Sequence, residues 1–317
     1  MVDEVVSDHG LLMVPDEAPL FRRLASEFVG TALLVAVGAG TATVLALGPL
    51  RRLAGLSTVF GESPTAEANN QVFGTLLGTS GASLGDVLGV AFAFAFILAI
   101  LVYALGGVSG GHFNPAVTFS LAAVRRFKWS DVPFYWIAQV LGGIAGAFLI
   151  AVIYGKDGAT FQGTDILFGA TSFNDATTNF YQALASEAFI TFVLVLAIMA
   201  VAVDPRAPKG WSGLVIGLAL GGGILFTAFA TGGSANFARS LGPLVASLVY
   251  DAGNIPWGDL TVYALGPLIG GTAAAFIYES LTGLERIAPA PQPGAATPEV
   301  PLDTVEEPLG SGDDTGV

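Results

Sequence analysis

Cysteine is absent from this 317-residue chain, and charged residues make up only 12% of it. The lack of cysteine excludes disulfides, thiolate metal sites and cysteine nucleophiles. Histidine occurs only at His9 and His112, which lie far apart in the sequence and suggest no shared metal site. The apolar segments also contain no nucleophile–base pattern and no cluster of metal-ligating residues. The sequence therefore predicts neither an enzyme nor a cofactor or metal centre.

Apolar residues are abundant instead. They form 53% of the chain, and the mean hydropathy is +0.70, whereas a soluble domain carries about 25% charged residues. We therefore predict an integral membrane protein. The net charge of −13 comes mainly from the ends, since residues 1–20 contain five acids and residues 287–317 contain six, with no lysine or arginine in either. This composition predicts disordered acidic tails, at 1–20 and at 283–317.

The apolar residues are grouped into six runs that are long enough to cross a bilayer, which takes about 20 residues. Two further runs, 114–124 and 236–249, are too short to cross. The sequence thus predicts an all-α membrane protein with six transmembrane helices and two re-entrant half-helices. Polar loops are expected at 48–86 and 155–182. The six predicted spans cover residues 24–47, 87–105, 132–154, 183–203, 211–230 and 260–281.

The second half of the chain repeats the first. Three features occur twice in the same order: an Ala-Ser-Glu tripeptide that opens a span, an asparagine that opens a half-helix, and a Gly/Ala-rich segment within a span. Each half holds three spans, an odd number, so the second half must insert upside down relative to the first. We place the first repeat at 21–154 and the second at 183–282. The paired features are 25–27 with 185–187, Asn114 with Asn236, and 142–148 with 270–276.

Lysine and arginine residues indicate the orientation of the spans. Eight of these residues lie on the side of the bilayer that carries both termini, and three lie on the other side. Because cytoplasmic loops carry the excess of positive charge, both termini are predicted to be cytoplasmic, in a multi-pass protein of the cell membrane. The eight are Arg22, Arg23, Arg125, Arg126, Lys128, Arg206, Lys209 and Arg286, and the three are Arg51, Arg52 and Lys156.

Each half-helix follows a glycine-rich segment that ends in asparagine. As an N-cap, the asparagine oxygen accepts a backbone N–H of the first turn, which leaves the side-chain NH₂ to donate elsewhere. Two such N-termini at the membrane centre each carry about +0.5 of partial charge, and no acidic residue is nearby in sequence. Cations are disfavoured there, whereas a neutral solute finds donors at Asn114 and Asn236. Unwound backbone before them offers carbonyl acceptors, at Gly110, Gly111, His112, Gly232 and Ser234.

These segments resemble the signature loops of the major intrinsic protein family, the aquaporins and glycerol facilitators. Residues 109–118 (SGGHFNPAVT) resemble the first loop, and 236–243 (NFARSLGP) resemble the second. Residues 25–31 and 136–142 also match the family pattern. The resemblance covers 21–282 and implies an aquaporin-like channel domain there. It implies a passive channel for water and other small neutral solutes in each subunit of a homotetramer within the lipid bilayer, without cofactor or nucleic acid.

The resemblance also implies a selectivity filter near the outer mouth, at Phe94, Ile224, Gly233 and Arg239. Ile224 occupies a position that is histidine in many strict water channels, and Gly233 leaves the opposite wall bare. We therefore expect a wider, less polar mouth that also passes ammonia, peroxide, urea or glycerol. Ser240 counts against a dedicated glycerol or urea facilitator, because such proteins often carry aspartate there.

One residue departs from the family pattern. Phe237 replaces the second signature proline, which the resemblance places against Pro115 at the midplane. Either the substitution is tolerated, or it narrows or alters the pore midpoint. A junctional or scaffolding protein that has lost conduction is a further alternative, for which Phe237 is the only hint.

Glu27 and Glu187 lie within apolar spans, where a carboxylate is expected to be functional. The resemblance implies that they support the two signature loops by accepting backbone N–H groups. The alternative, from a different class, is a proton-coupled secondary transporter that uses these carboxylates. His112 is expected to position its loop or to line the lumen.

Overall fold

The computed structural model describes residues 18–60 and 84–284, without the side chains of 52–60. Almost all of both predicted tails lies outside the described residues. Within the described part, six helices are long and apolar enough to cross a membrane. Two shorter helices lie between the second and third spans and between the fifth and sixth, so the predicted fold class is confirmed. The helices are α1 (Leu20–Phe60), α2 (Leu84–Ser109), α3 (Pro115–Ala123), α4 (Val132–Tyr154), α5 (Phe180–Ile198), α6 (Ser212–Thr231), α7 (Phe237–Val249) and α8 (Leu260–Thr282).

The first predicted loop is wrong at its start, because α1 continues through Pro49 as far as Phe60. A proline removes one backbone hydrogen bond and usually kinks a helix. Here tertiary contacts favour continuation: Leu50 is buried with Ile166 in a small apolar cluster. The guanidinium of Arg51 also pairs with the carboxylate of Asp157 at 2.8 Å.

The second predicted loop contains short ordered pieces. A 3₁₀ turn at Gly155–Gly158 leads into strand β1 (Thr160–Phe161), which pairs antiparallel with β2 (Thr164–Asp165). A second 3₁₀ turn, Leu167–Gly169, then brings the chain down onto the membrane helices. After α5, a π-helical turn, Met199–Val203, extends that span, and another 3₁₀ turn, Trp257–Asp259, precedes α8.

Glycines let helices of the same repeat pack backbone to backbone. A Cβ added at Gly146 of α4 would overlap the carbonyl oxygen of Ala32 on α1. In the second repeat, a Cβ at Gly270 of α8 would overlap the carbonyl oxygen of Ala188 on α5. Small residues at helix contacts are the usual device for close approach in a bilayer, where apolar side chains gain little by leaving lipid. Large apolar side chains such as Leu218 point outward and are exposed.

Candidate functional site

The two half-helices, α3 and α7, are capped by their asparagines. The Asn114 side chain accepts a hydrogen bond from the Ala116 N–H at 2.9 Å. The Asn236 side chain accepts from the N–H groups of Ala238 and Arg239, at 3.0 and 3.3 Å. Both asparagines have extended backbone angles, as an N-cap requires.

The asparagines also join the two half-helices across the centre of the protein. Asn114 Nδ2 donates to the carbonyl oxygen of Ala235, and Asn236 Nδ2 donates to that of Phe113, both at 2.8 Å. The two N-termini therefore meet face to face. A side-chain amide has two N–H donors, so this exchange uses one on each asparagine and leaves the second for a guest. Both side chains are buried and line one cavity.

Left-handed backbone breaks each helix before its asparagine. Positive φ angles occur at Gly110 (94°) and Gly111 (65°), which glycine adopts readily. They also occur at Phe113 (48°) and Ala235 (55°), where a Cβ makes the conformation costly. The structure must therefore hold these two residues in place.

Glu27 holds the first loop. Its Oε1 accepts from Ser109 Oγ at 2.6 Å and from the His112 N–H at 3.0 Å. Its Oε2 accepts from the Phe113 N–H at 2.7 Å and from Gln139 Nε2 at 2.8 Å. Four donors satisfy a fully buried carboxylate.

Glu187 holds the second loop in the same way. It accepts from Thr231 Oγ1 at 2.7 Å, from the Ser234 N–H at 3.0 Å and from the Ala235 N–H at 2.7 Å. The two carboxylates thus lie beside the half-helix N-termini. No acidic residue lies near these ends in the sequence, but in space each end has a carboxylate beside it, which offsets part of the positive helix potential.

Two buried tyrosines also support the loops through hydrogen bonds, a role that was not predicted from the sequence. Tyr135 donates to the Ser109 carbonyl oxygen and Tyr263 to that of Thr231, both at 2.7 Å. The repeat contained the signal, because these tyrosines occupy matching positions in the third and sixth spans.

Hydroxyl groups make similar hydrogen-bond contacts in the two loops. His112 Nδ1 lies 3.0 Å from Thr118 Oγ1, so one ring nitrogen of His112 is engaged within its own loop while the residue lines the cavity. At the equivalent place, Ser234 Oγ lies 2.6 Å from Ser240 Oγ. Ser240 Oγ in turn lies 2.7 Å from Thr171 Oγ1.

Three of the four predicted filter positions line cavities: Phe94 and Arg239 line the cavity that contains both asparagines, and Ile224 and Arg239 line a second one. The Arg239 guanidinium lies 5.0 Å from the ring centroid of Phe94, a distance suited to a cation–π contact. Gly233 packs on α6, where an added Cβ would lie 3.1 Å from Ile224 Cα. Arg239 is only 2% exposed, and its Nε has no hydrogen-bond partner within the described residues.

Arg239 is held by a loop that the sequence interpretation did not connect to the site. Its Nη1 donates to the Gly169 carbonyl oxygen at 2.9 Å. Three successive left-handed residues, Leu167, Phe168 and Gly169, direct that carbonyl inward. The loop shows no periodicity that could have predicted this contact.

Two cavities meet at Arg239. The cavity that extends past both asparagines, which we call the inner cavity, measures about 20 Å³. The cavity that includes Ile224 and Thr171, which we call the outer cavity, measures about 190 Å³. A single water needs roughly 10–15 Å³, so the inner cavity is narrow. Its apolar wall includes four leucines that the sequence interpretation missed, although their spacing follows the repeat. They are Leu34 with Leu194 and Leu98 with Leu220.

The midplane prolyl position is asymmetric. Pro115 is buried, and its carbonyl oxygen accepts from Trp136 Nε1 at 3.0 Å. Phe237 is half-buried at the start of α7. Contact between the two residues stays a prediction.

Fold and site together define a multi-pass membrane protein in which two re-entrant half-helices meet beside a narrow, partly polar cavity. The chain belongs to the major intrinsic protein family, whose model matches residues 16–278.

Aquaporin AqpM of Methanothermobacter thermautotrophicus is 37% identical over 263 residues, covering 83% of this chain and 98% of that protein. Probable aquaporin AqpM of Archaeoglobus fulgidus is also 37% identical, over 83% and 97%. The X-ray structure of the aquaglyceroporin from Plasmodium falciparum aligns with a TM-score of 0.63 at 22% identity, covering 85% of this chain and 100% of that one, and is similar in fold.

Proposed function

We propose that the protein is a passive channel for water and small neutral solutes that excludes protons and ions. The observation that carries this proposal is the pair of crossed amides. Asn114 and Asn236 each retain one N–H beside a cavity wide enough for single molecules, which is also lined by four leucines. A neutral guest with an acceptor oxygen exchanges hydrogen bonds with this pair and slides along the apolar side.

Ion exclusion follows from charge. A buried guanidinium at Arg239 repels cations at the junction of the two cavities, and low-dielectric surroundings strengthen that repulsion. The donor ends of α3 and α7 add to it at the midplane. We assign the filter to Phe94, Ile224, Gly233 and Arg239 on this basis.

A water channel and a glycerol or urea facilitator differ in the solutes that they conduct. The relatives named above carry the name aquaporin, which favours water as the main solute. The aliphatic side chain of Ile224 and the missing side chain of Gly233 favour additional passage of glycerol or urea. A glycerol or urea facilitator is therefore the second candidate.

A proton-coupled transporter is the less favourable alternative. Such a mechanism needs a carboxylate that can exchange a proton or ion with the lumen. Glu27 already accepts four hydrogen bonds and Glu187 three, all from groups that fix the loops. We propose a loop-supporting role for both.

The assembly and location complete the proposal. We propose a homotetramer in the plasma membrane, with each subunit carrying its own pore and with both termini in the cytoplasm. Outward-facing apolar side chains on the long helices provide the surface for lipid and for neighbouring subunits.

Reconstituted vesicles test the proposal. Stopped-flow shrinkage in sucrose gradients should be about tenfold faster with the protein than without it, and a trapped pH dye should report no added proton flux. Leu218→Ala, on the exposed face of α6, is the control and should behave as wild type. Shrinkage at the protein-free rate would refute the channel and favour the scaffolding alternative. Solute uptake that requires a proton gradient would favour the transporter.

A further inference from the structure

The inverted repeat assigns a partner to each filter residue. Positions in the second span and first loop recur 122 residues later, as Ser109 with Thr231 and Asn114 with Asn236 illustrate. Applying the same offset to the four filter positions gives four residues at the opposite, inner end of the pore. Phe94 corresponds to Ile216, Ile224 to Val102, Gly233 to Gly111 and Arg239 to Val117.

All four of these residues line the inner cavity, which also reaches Phe94 and Arg239 of the filter. Val102, Val117 and Ile216 are 1–2% exposed. They come from three elements, α2, α3 and α6, just as the filter residues come from α2, α6 and the loop and first turn of α7.

The chemistry of this inner ring is opposite to that of the filter. Valine stands in place of arginine and isoleucine in place of phenylalanine, so three aliphatic side chains line the cavity at these positions. All three are β-branched and therefore stiff at χ1 in a helix. His112 is the neighbouring polar residue on the cavity, and its Nδ1 is already engaged with Thr118.

Such a ring discriminates by hydration. Water crosses it as a single molecule, whereas a polyol must give up several hydrogen bonds without receiving side-chain donors in return, which is unfavourable.

We propose that Val102, Gly111, Val117 and Ile216 form a second, aliphatic selectivity ring, and that this ring limits the passage of polar solutes larger than water. The inference rests on the proposed channel function and adds the residues that set its solute range. The outer filter then excludes charged solutes, and the inner ring excludes polar solutes that are larger than water.

Variants at the two rings separate their contributions. Ile216→Ala removes three carbons from the inner ring, and Leu218→Ala on the exposed face of the same helix is the matched control. In vesicles, glycerol permeability of Ile216→Ala should rise about tenfold over the control, and Phe94→Ala at the outer filter should raise it by a smaller factor. Val102→Thr keeps the volume and adds a hydroxyl, so it should also raise glycerol permeability if Ile216→Ala does not fold.

The outcomes are distinct. Glycerol permeability of Ile216→Ala and Val102→Thr at the control value, or a larger rise with Phe94→Ala than with Ile216→Ala, would overturn the inner ring while leaving the channel intact. Failure of the channel itself appears earlier, as wild-type vesicles that shrink in sucrose no faster than empty ones.

Discussion

At the scale of single residues, the position of Arg239 depends on the backbone of Gly169. That glycine has φ +71°, and a Cβ there would overlap the carbonyl oxygen of Ala39. Gly169→Ala should therefore push the loop away from α1 and remove the acceptor of the guanidinium. We expect the protein to be destabilised by about 1–3 kcal/mol and the ratio of urea to water permeability to rise.

Gly210→Ala is the control for the backbone part of that effect. Gly210 also has a left-handed φ, +83°, but an added Cβ meets nothing within 4 Å. Thermal unfolding in detergent should show a clearly smaller loss for Gly210→Ala than for Gly169→Ala. Equal losses would mean that backbone strain alone matters and that contact with Ala39 does not.

A second residue-scale prediction concerns pH. Asp204, in the turn after α5, accepts from Arg206 Nη2 at 2.6 Å and from Tyr278 OH at 2.8 Å. These contacts, chiefly that of Arg206, lower the pKa of Asp204 to about 2. A lowered pKa stabilises the fold above the unfolded-state value of about 4, and the stabilisation is lost as pH falls towards about 2.

Asp204→Asn should consequently lower the free energy of unfolding by the same amount at about pH 7 and about pH 5, with the difference from wild type shrinking below about pH 4. Unfolding of the solubilised protein across this range measures it. A difference that already shrinks between about pH 7 and 5 would contradict the assignment.

At the scale of helices, close packing within each repeat should be the most sensitive feature. Gly270→Ala places a methyl group against the backbone of α5, at Ala188, and should destabilise the protein by about 1–3 kcal/mol. Gly222→Ala, in α6, meets nothing within 4 Å and should be neutral or slightly stabilising, since alanine is the better helix former. Unfolding temperatures of both variants in one detergent give the comparison.

Phe237 tests the start of the second half-helix. The cap on Asn236 uses the N–H groups of Ala238 and Arg239, so Phe237→Pro removes no capping bond and presets φ at the first helical position. We expect water permeability within about twofold of wild type and a gain of roughly 0.4–1 kcal/mol in stability. A larger change in permeability would show that the phenyl ring shapes the midpoint of the pore.

Helices were predictable because apolar length and asparagine caps are local signals. The predicted third span, 132–154, matches α4 residue for residue, and both half-helices begin directly after their asparagines. The end of α1 was not predictable, because its continuation depends on contacts with residues more than 100 positions away, such as Asp157.

At the scale of the whole molecule, the internal repeat is the feature that allowed the site residues to be predicted in pairs. It related Glu27 to Glu187 from sequence, and the same offsets would have found the tyrosine supports and the leucine wall. It could not find Gly169, because the loop that carries this residue has no counterpart in the other half. The contacts that break the symmetry are therefore the ones that only the three-dimensional structure reveals.

The orientation of the molecule can be tested because the chain contains no cysteine, so an introduced thiol is the only one present. Lys156 and Ser130 are both exposed, on the predicted outer and cytoplasmic sides respectively. With intact cells, a membrane-impermeant maleimide should label Lys156→Cys and leave Ser130→Cys unmodified. After permeabilisation both should react, and the cysteine-free parent should never react. Labelling of Ser130→Cys in intact cells would reverse the orientation, and the filter at Arg239 would then face the cytoplasm, against the excess of basic residues that predicts the opposite.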